Sequence, residues 1–387
     1  MRTIPPIAAR AAAIEPSMIR TLRDKAGPDC LDLGLGQADL PVHPAALDAA
    51  RDALDRGFAP YSPNLGLPAL RQAVGDHYGI SAQEVMITCG VQEALAVAMF
   101  GLIEPGDHIL LPDPGFPAYP NLVRAAGGVP VSYALEPGSW ALSIEAIEAA
   151  ITPETRGILV NSPGNPTGAV FSRESLEALA DLIERHDLFW ISDEIYEDYI
   201  YDGEHVSLAD LGGSIASRGV RLSGLSKSHH MMGWRIGWLT GSGELVEQLK
   251  PLHQHMVTCA PTIAQIAGVA ALAHHDEAVA NTMRVFRERR ALALKVCGQI
   301  QGLTLSEARG AFYLLVGVHS FLRGEQETCL DLALALLEEE RVIAIPGVGF
   351  GPGGAGYLRI AYTIDEEPLG HALERMANFL ERRDARI

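Results

Sequence analysis

Between about residue 45 and residue 280 the sequence alternates short β-rich apolar runs with helix-like stretches. The runs are Val85–Thr88, Ile109–Leu111, Val129–Tyr133, Ile158–Val160, Phe189–Ser192, Val220–Ser223 and Ile236–Leu239. Amphipathic segments such as Gln92–Ile103 and Arg173–His186 lie between several of them. Strand–helix alternation restricts the chain to a mostly parallel sheet, here seven-stranded, sandwiched by helices, because parallel neighbours need a crossover and the crossover helices cover both faces.

The texture then changes. A charged helical pattern over Met283–Gln299 is followed by Ala311–Val316, a helix around Leu330–Glu340, strand-like Val342–Ile345 and Tyr357–Tyr362, and a last helix over Glu367–Arg382. This is the pattern of a smaller α+β domain. The first forty or so residues are too few to form a core alone and are expected to pack against it. The expected division is therefore a large domain over 45–282 and a small domain made of 1–44 and 283–387.

Charge excludes some functions. Lys and Arg number 30 against 48 Asp and Glu, a formal net charge of −18. Such a body repels phosphate backbones and anionic lipid, so neither nucleic-acid nor membrane binding is expected. The longest uncharged apolar stretch, Ala94–Ile103, is half of what a bilayer requires. Prolines, Arg10 and Glu15 interrupt any signal-peptide core at the N-terminus, so a cytoplasmic location is expected. The five cysteines are scattered and lack CxxC spacing, which reads as reduced thiols. The paired histidines (His229-His230, His274-His275) have no cysteine or carboxylate at ligand spacing, and no metal is expected.

In open parallel sheets ligands sit beyond the carboxyl ends of the strands. After Val85–Thr88 comes Cys-Gly-Val91-Gln92-Glu, a glycine turn into a helix that suits an anion or is a plain βα turn. After Ile158–Val160 comes Asn161-Ser-Pro-Gly-Asn165-Pro-Thr-Gly, a constrained loop where binding groups concentrate. After Phe189–Ser192 comes Asp193-Glu-Ile-Tyr196, whose Asp is either a buried carboxylate seeking a cation or a helix cap. The chain has only four lysines. Lys25 lies in a charged segment, and Lys250 and Lys295 lie on amphipathic helices. Lys227 follows a strand, in Leu-Ser-Gly-Leu-Ser226-Lys227-Ser. Arginine cannot replace a lysine used for its amine, since only lysine loses its proton and forms an imine. Arg235, in Gly-Trp-Arg-Ile-Gly, suits a phosphate clamp. Arg359 alternates with apolar residues in Tyr-Leu-Arg-Ile-Ala-Tyr and is either an edge-strand charge or an inward group awaiting a substrate carboxylate. The glycine-rich run from Gly347 is followed by Pro352 and a further strand, not a helix, so it is a loop near the site and no dinucleotide fingerprint. Together, an amine, a carboxylate, a phosphate cradle and two arginines are what pyridoxal phosphate requires.

Over essentially its whole length the sequence resembles the fold-type I pyridoxal-phosphate aminotransferases of class I/II, the aspartate aminotransferase superfamily. The likeness is carried, in order, by Leu33-Gly-Leu-Gly36-Gln, PYSPNLGLPALRQAV, TCGVQEAL, DPGFPAYP, NSPGNPTG, SDEIYEDY, SGLSKSHHMMGWRIGW, GAFYLLV and YLRIAYT. The resemblance implies that Lys227 links to the cofactor and shuttles the proton, and that Asp193 pairs with the pyridine nitrogen. It implies that Tyr196 and Asn165 donate to the phenolic oxygen and that Phe116 stacks on the ring. The phosphate would meet the N–H groups of Val91 and Gln92, the Ser226 region, Arg235, and Tyr61 of a neighbouring subunit in a homodimer. Arg359 would grip the substrate α-carboxylate, helped by Asn165 and the backbone of Gly36.

The implied activity is ping-pong transfer of an α-amino group from an L-amino acid to a 2-oxo acid such as 2-oxoglutarate or pyruvate. The alternatives are a β-eliminating C–S lyase, which often carries His at the place of Tyr196, and a cofactor-binding transcriptional regulator, which would need a DNA-binding extension. Some aspartate-preferring members carry Lys at the place of Val91, so valine there favours apolar, aromatic or broad donors. Ala38 also stands where proline is usual, and Gly224 where several relatives carry a phosphate-binding serine, leaving Ser226 or Ser223 to compensate. The residues leave the preferred donor, acceptor and pathway open.

Overall fold

The computed structural model describes residues 5–57, 60–324 and 326–384. Among them the strands are β1 (Leu31–Asp32), β2 (Val85–Thr88), β3 (His108–Asp113), β4 (Val129–Ala134), β5 (Thr155–Asn161), β6 (Phe189–Asp193), β7 (Gly219–Gly224), β8 (Gly237–Thr240), β9 (Thr304–Leu305), β10 (Tyr313–Gly317), β11 (Val342–Ile343), β12 (Ile345–Pro346) and β13 (Tyr357–Ala361).

Each of the seven apolar runs became a strand of one sheet, in the order β2-β8-β7-β6-β5-β3-β4. Strand β8 is antiparallel to both neighbours, and the remaining pairs are parallel. The central strands β5, β6 and β7 are buried on both faces apart from Arg156 and Phe189. That explains why they read as unbroken apolar runs. One face carries the helices Val91–Leu102, Ala118–Ala126 and Gly243–Val257, with Leu95, Val97, Met99 and Val123 buried beneath them. The other carries Ile144–Ala150 and Arg173–Arg185, with Ile147, Leu176, Leu179 and Ile183 buried. Since β2, β5, β6 and β7 run the same way, their carboxyl ends open on one edge.

The C-terminal part forms an antiparallel sheet, β12-β13-β10-β9, around a core that includes Phe286, Phe312, Leu336 and Phe379. Two sequence expectations change here. The helix expected from Met283 begins at His275 and runs to Gly298. Its first turn carries Asp276 and Glu277, which favour a helix N-terminus. The run Val342–Ile345 is two strands, because the chain changes partners at Ala344. Val342 and Ile343 pair with Leu31 and Asp32, and Ile345 pairs with Arg359. The N-terminal segment joins the same region through Leu22, Met18 and Ile19, which pack with Ile343, Ile345 and Phe350. Among the described residues no helix is long and apolar enough to cross a membrane.

Candidate active site

A cavity of about 330 Å³ lies at the carboxyl edge of the large sheet. Its lining brings together Gly36, Val91, Gln92, Phe116, Asn165, Asp193, Tyr196, Ser226, Lys227, Arg235 and Arg359. Tyr61, the remaining expected residue, is outside the cavity and 85% exposed.

Strand β6 ends at Asp193, which points into the cavity and begins no helix. Its Oδ2 accepts from the Tyr119 hydroxyl at 2.8 Å, and its Oδ1 accepts from the Ile195 N–H at 3.3 Å. Burial pushes the carboxyl up to about 6, and these two donors and the Lys227 charge offset only part of that. Strand β7 ends at Gly224 and turns into the single helical turn Leu225–Ser228 that carries Lys227. Lys227 Nζ donates to the Gly36 carbonyl at 2.7 Å. Burial, reinforced by the Arg359 charge, lowers its amine to about 8. The carboxyl therefore holds a proton more readily, and the amine less readily, than either would in water.

The loop after β5 is organised by Asn161. Its Oδ1 accepts the Asn165 N–H at 2.8 Å, and its Nδ2 donates to the Asp193 carbonyl at 2.8 Å. Asn165 Oδ1 accepts from Arg359 at 2.9 Å, which leaves its Nδ2 to donate. Arg359 is inward: β13 lies between β12 and β10, and the residue is 1% exposed. Its guanidinium donates to Asn165 and to the Gly34 carbonyl and sits 4.4 Å from the Tyr313 ring centroid. Its Nε, buried, has no partner among the described residues. Burial lowers its pKa.

Arg235 donates to the carbonyls of Met232 (2.9 Å) and Cys89 (3.3 Å), which leaves donors over. It faces the turn at Gly90, which caps the helix Val91–Leu102 at φ 78°. A Cβ on Gly90 would lie 2.4 Å from an Arg235 terminal nitrogen, so only glycine keeps this cradle open. The first N–H groups of a helix have no partner within it, and here they lie beside a guanidinium, which makes a site for a phosphate. A serine cannot stand at Gly224, where a Cβ would come within 2.7 Å of the Gly237 Cα. Ser226 lines the cavity instead, while Ser223 donates to Glu197 at 2.5 Å.

Several residues of the site escaped the sequence reading. Tyr119 holds Asp193, Asn161 orders the loop, and the Tyr313 hydroxyl lies 2.8 Å from that of Tyr196. Ser17, Ile19 and Arg20 of the N-terminal segment also line the cavity. The signal for Tyr119 was its place three residues after Phe116. Asn161 and Tyr313 stand in motifs the sequence marked, but nothing local gave them these roles. The run from Gly347 forms two 3₁₀ turns, and Phe350, the last residue of the first, has its ring centroid 4.7 Å from the Arg359 guanidinium.

A seven-stranded, mostly parallel sheet with a lysine, a carboxylate and a phosphate cradle at its carboxyl edge defines a cofactor-dependent group-transfer enzyme. A family model described as aminotransferase class I and II matches residues 28–376. The aspartate aminotransferase of Geobacillus stearothermophilus is 34% identical over 392 residues, covering 97% of this chain and 99% of the relative. The aromatic-amino-acid aminotransferase 2 of Thermococcus litoralis is 34% identical over 387 residues, covering 97% and 98%. Among solved structures, an aspartate aminotransferase from Thermus thermophilus with maleate superposes at a TM-score of 0.91 and 33% identity, covering 97% of this chain and 100% of that one. The chain belongs to the class I and II aminotransferase family. It is a pyridoxal-phosphate-dependent aminotransferase acting on amino acids and 2-oxo acids.

Proposed function

We propose that this enzyme moves the α-amino group of apolar, aromatic or a broad range of L-amino acids to a 2-oxo acid, both substrates using the one cavity in turn. The observation that carries the reading is the shared lining: Lys227, Asp193, Arg235 and Arg359 face one space. When bound there, pyridoxal phosphate supplies an aldehyde that takes up the amino group and a ring that accepts electrons released from the α-carbon.

The chain's own residues then divide the work. The helix N-terminus at Val91 and Gln92, with Ser226 and Arg235, holds the phosphate. The Asp193 carboxylate holds a positive charge on the pyridine nitrogen. Tyr196 and Asn165 donate to the phenolic oxygen, and Phe116 covers the ring. Arg359 binds the substrate α-carboxylate, with its free Nε edge and with Asn165 beside it. Lys227 Nζ, an amine that burial lowers to about 8 in this chain, would take the α-proton and give it back.

Two observations support the donor range. The curated relatives named for aspartate and for aromatic amino acids are equally similar to this chain. Part of the cavity wall is apolar, made by Val91, Leu95 and Phe116. We further propose that 45–282 acts as the cofactor-holding unit while 1–44 and 283–387 supply Gly36 and Arg359. Tyr61, standing out of its own subunit, would complete the phosphate site of a second copy in a homodimer.

The test is a half-reaction. The holoenzyme is mixed with single amino acids and no acceptor, and its visible absorbance is followed. Conversion of the cofactor to its amino form, recovery on adding 2-oxoglutarate or pyruvate, and loss of both in Lys227→Ala are expected. A persistent band with release of pyruvate and ammonia from cystathionine or cysteine would replace transfer by β-elimination.

A further inference from the structure

Among the described residues that line the active-site cavity there is no histidine, although the chain has 13. Six of them, His43, His77, His229, His230, His274 and His275, gather instead around the head of the helix His275–Gly298. His43 stacks on His274 with ring centroids 4.6 Å apart, and His77 and His229 pack on His275 at 4.5 and 5.3 Å. His230 lines a small cavity with His43 and His229. Three of the six are held by other side chains. His275 Nε2 lies 3.2 Å from Asp198 Oδ1, His230 Nε2 lies 2.9 Å from the Thr282 hydroxyl, and His229 Nδ1 lies 2.8 Å from the Ser228 hydroxyl.

His43 and His274 are placed differently. His43 Nε2 and His274 Nδ1 approach the same oxygen, Glu277 Oε2, at 3.6 and 3.7 Å. Both separations are too long for a hydrogen bond. The three ligand atoms lie within 4.8 Å of one another. Nitrogen and oxygen ligands held at their usual distances on a tetrahedral ion stand roughly 3.4 Å apart. The two nitrogen–oxygen separations are therefore already close to those of a shared ion, and His274 and Glu277, both exposed, can close the rest. Among the described residues no Lys or Arg pairs with Glu277. The comparable group Glu194, Glu197 and His205 has no such room, because Arg221 and the hydroxyls of Ser207 and Ser223 fill it. Chain spacing gave no reason to expect a metal at His274-His275; the fold brings His43 to the pair.

We propose that His43, His274 and Glu277 bind a divalent transition-metal ion of the zinc class, which clamps the head of the helix Pro44–Asp55 to the head of the helix His275–Gly298. Two imidazoles and a carboxylate suit zinc and its first-row neighbours, whereas magnesium and calcium take oxygen ligands. The remaining coordination positions open to solvent on the side of His274 and Glu277. Asp276 and Glu277 stand in the first turn of the second helix and offset the positive end of its dipole, which would otherwise repel a cation. A ring that ligates through Nε2 carries its proton on Nδ1, so binding exchanges the 3.3 Å contact between His43 Nδ1 and the Ala45 N–H for a metal–nitrogen bond. The clamp adds to a tie that exists farther along the same helix, where Arg289 meets Asp39 at 2.7 Å. None of the three ligands lines the active-site cavity, so the site stands apart from the transamination machinery.

The test is metal binding by the tag-free holoenzyme, stripped with a chelator, dialysed and kept free of amino acids. Zinc chloride and magnesium chloride are titrated separately in a calorimeter, and melting temperatures are recorded with and without saturating zinc. Zinc should bind one ion per chain and raise the melting temperature by a few degrees, since a ligand of the folded state stabilises it by mass action. Magnesium should not compete. Three variants each remove one ligand: His43→Asn, which keeps a residue able to cap its helix, His274→Gln and Glu277→Gln. Each should weaken zinc at least about tenfold and abolish most of the thermal shift. His371→Gln, an exposed histidine on the helix Glu366–Asp384, should bind zinc as wild type does. Transamination without added metal should be the same in all four variants, which shows that they are folded. A wild type that takes up no zinc, a loss of less than tenfold in any of the three ligand variants, or magnesium bound as tightly as zinc would overturn the proposal. So would zinc binding that leaves the melting temperature unmoved.

Discussion

Asp193 and Glu194 are consecutive, both buried, and lean opposite ways. Asp193 faces the cavity, meets one hydroxyl and one N–H, and its carboxyl is pushed up to about 6. Glu194 faces the packed side of the sheet. His205 Nε2 lies 2.8 Å from its Oε2, the Ser207 hydroxyl donates to Oε1 at 2.5 Å, and Arg221 Nε is 3.6 Å away. Burial acts on Glu194 as it does on Asp193, but the His205 hydrogen bond and the His205 and Arg221 charges more than offset it, and its pKa falls below the ordinary value. The same peptide thus carries one carboxylate whose cation is supplied by the fold and one whose cation is not. A buried carboxylate left short of a partner is costly, and it persists where a ligand completes it.

The sharpest way to break this comparison is Asp193→Asn. If the side chain holds a cation on the cofactor, transamination should fall by about 10²- to 10³-fold, the range for losing one preorganised electrostatic group. Apo stability should move the other way. The folded chain binds the Asp193 proton more tightly than the unfolded chain, since 3.8 rises to about 6. The group therefore costs nothing below pH 4, its cost grows as pH rises through that window, and it reaches about 3 kcal/mol above pH 6. Asparagine carries no such cost. Urea unfolding of the apoenzyme at pH 8 should find the variant about 2–3 kcal/mol more stable, the gap closing towards pH 4. A variant less stable at pH 8 and equally active would show Asp193 to be a structural residue like its neighbour.

Glu194→Ala tests the other half. It strands Arg221, which is 3% exposed, and His205 beside it. Removing one partner of a buried pair costs about 3–5 kcal/mol. Arg221 keeps Asp210 and the Tyr78 ring, 4.3 Å from its guanidinium, so the lower end is expected. Denaturation should report that loss while kcat per folded molecule changes less than about threefold. A large drop in kcat with stability intact would mean that the two carboxylates form one functional unit.

The same contrast explains what the sequence showed in advance. The seven strands were legible because parallel strands buried on both faces are unbroken apolar runs bounded by turns. Lys227 stood out because it is one of four lysines and the only one that follows a strand. Asp193 was visible by position, but its alternative as a helix cap could be dismissed only by the turn that follows it. Arg359 needed the sheet order, since alternation along a strand does not say whether that strand lies at an edge. Tyr119 and Tyr313 were hidden because each acts on a residue brought near by tertiary folding. Tyr119 lies 74 residues from Asp193, and Tyr196 lies 117 residues from Tyr313. In sequence such aromatics read as core, and burial is what they share with core.

The smallest predicted effect probes how Asp193 is held. The Tyr119 hydroxyl is the donor on Oδ2 and, after burial, the largest influence on the carboxyl, acting to keep it ionised. Tyr119→Phe leaves the ring packed in the core with Val123 and Leu111 and removes only that hydrogen bond. The Asp193 pKa should then rise further, and its hold on a positive ring nitrogen should loosen. One hydrogen bond at this position is worth about 1 kcal/mol, so kcat should fall roughly fivefold with KM for the amino acid little changed. The diagnostic readout is the pH profile of the half-reaction, whose acid limb should move to higher pH because a less supported carboxylate protonates sooner. A fivefold loss spread evenly across pH would place Tyr119 in packing alone. A shifted limb would show that the same field that raises Asp193 is trimmed by a single hydroxyl, which Glu194, with three partners, does not need.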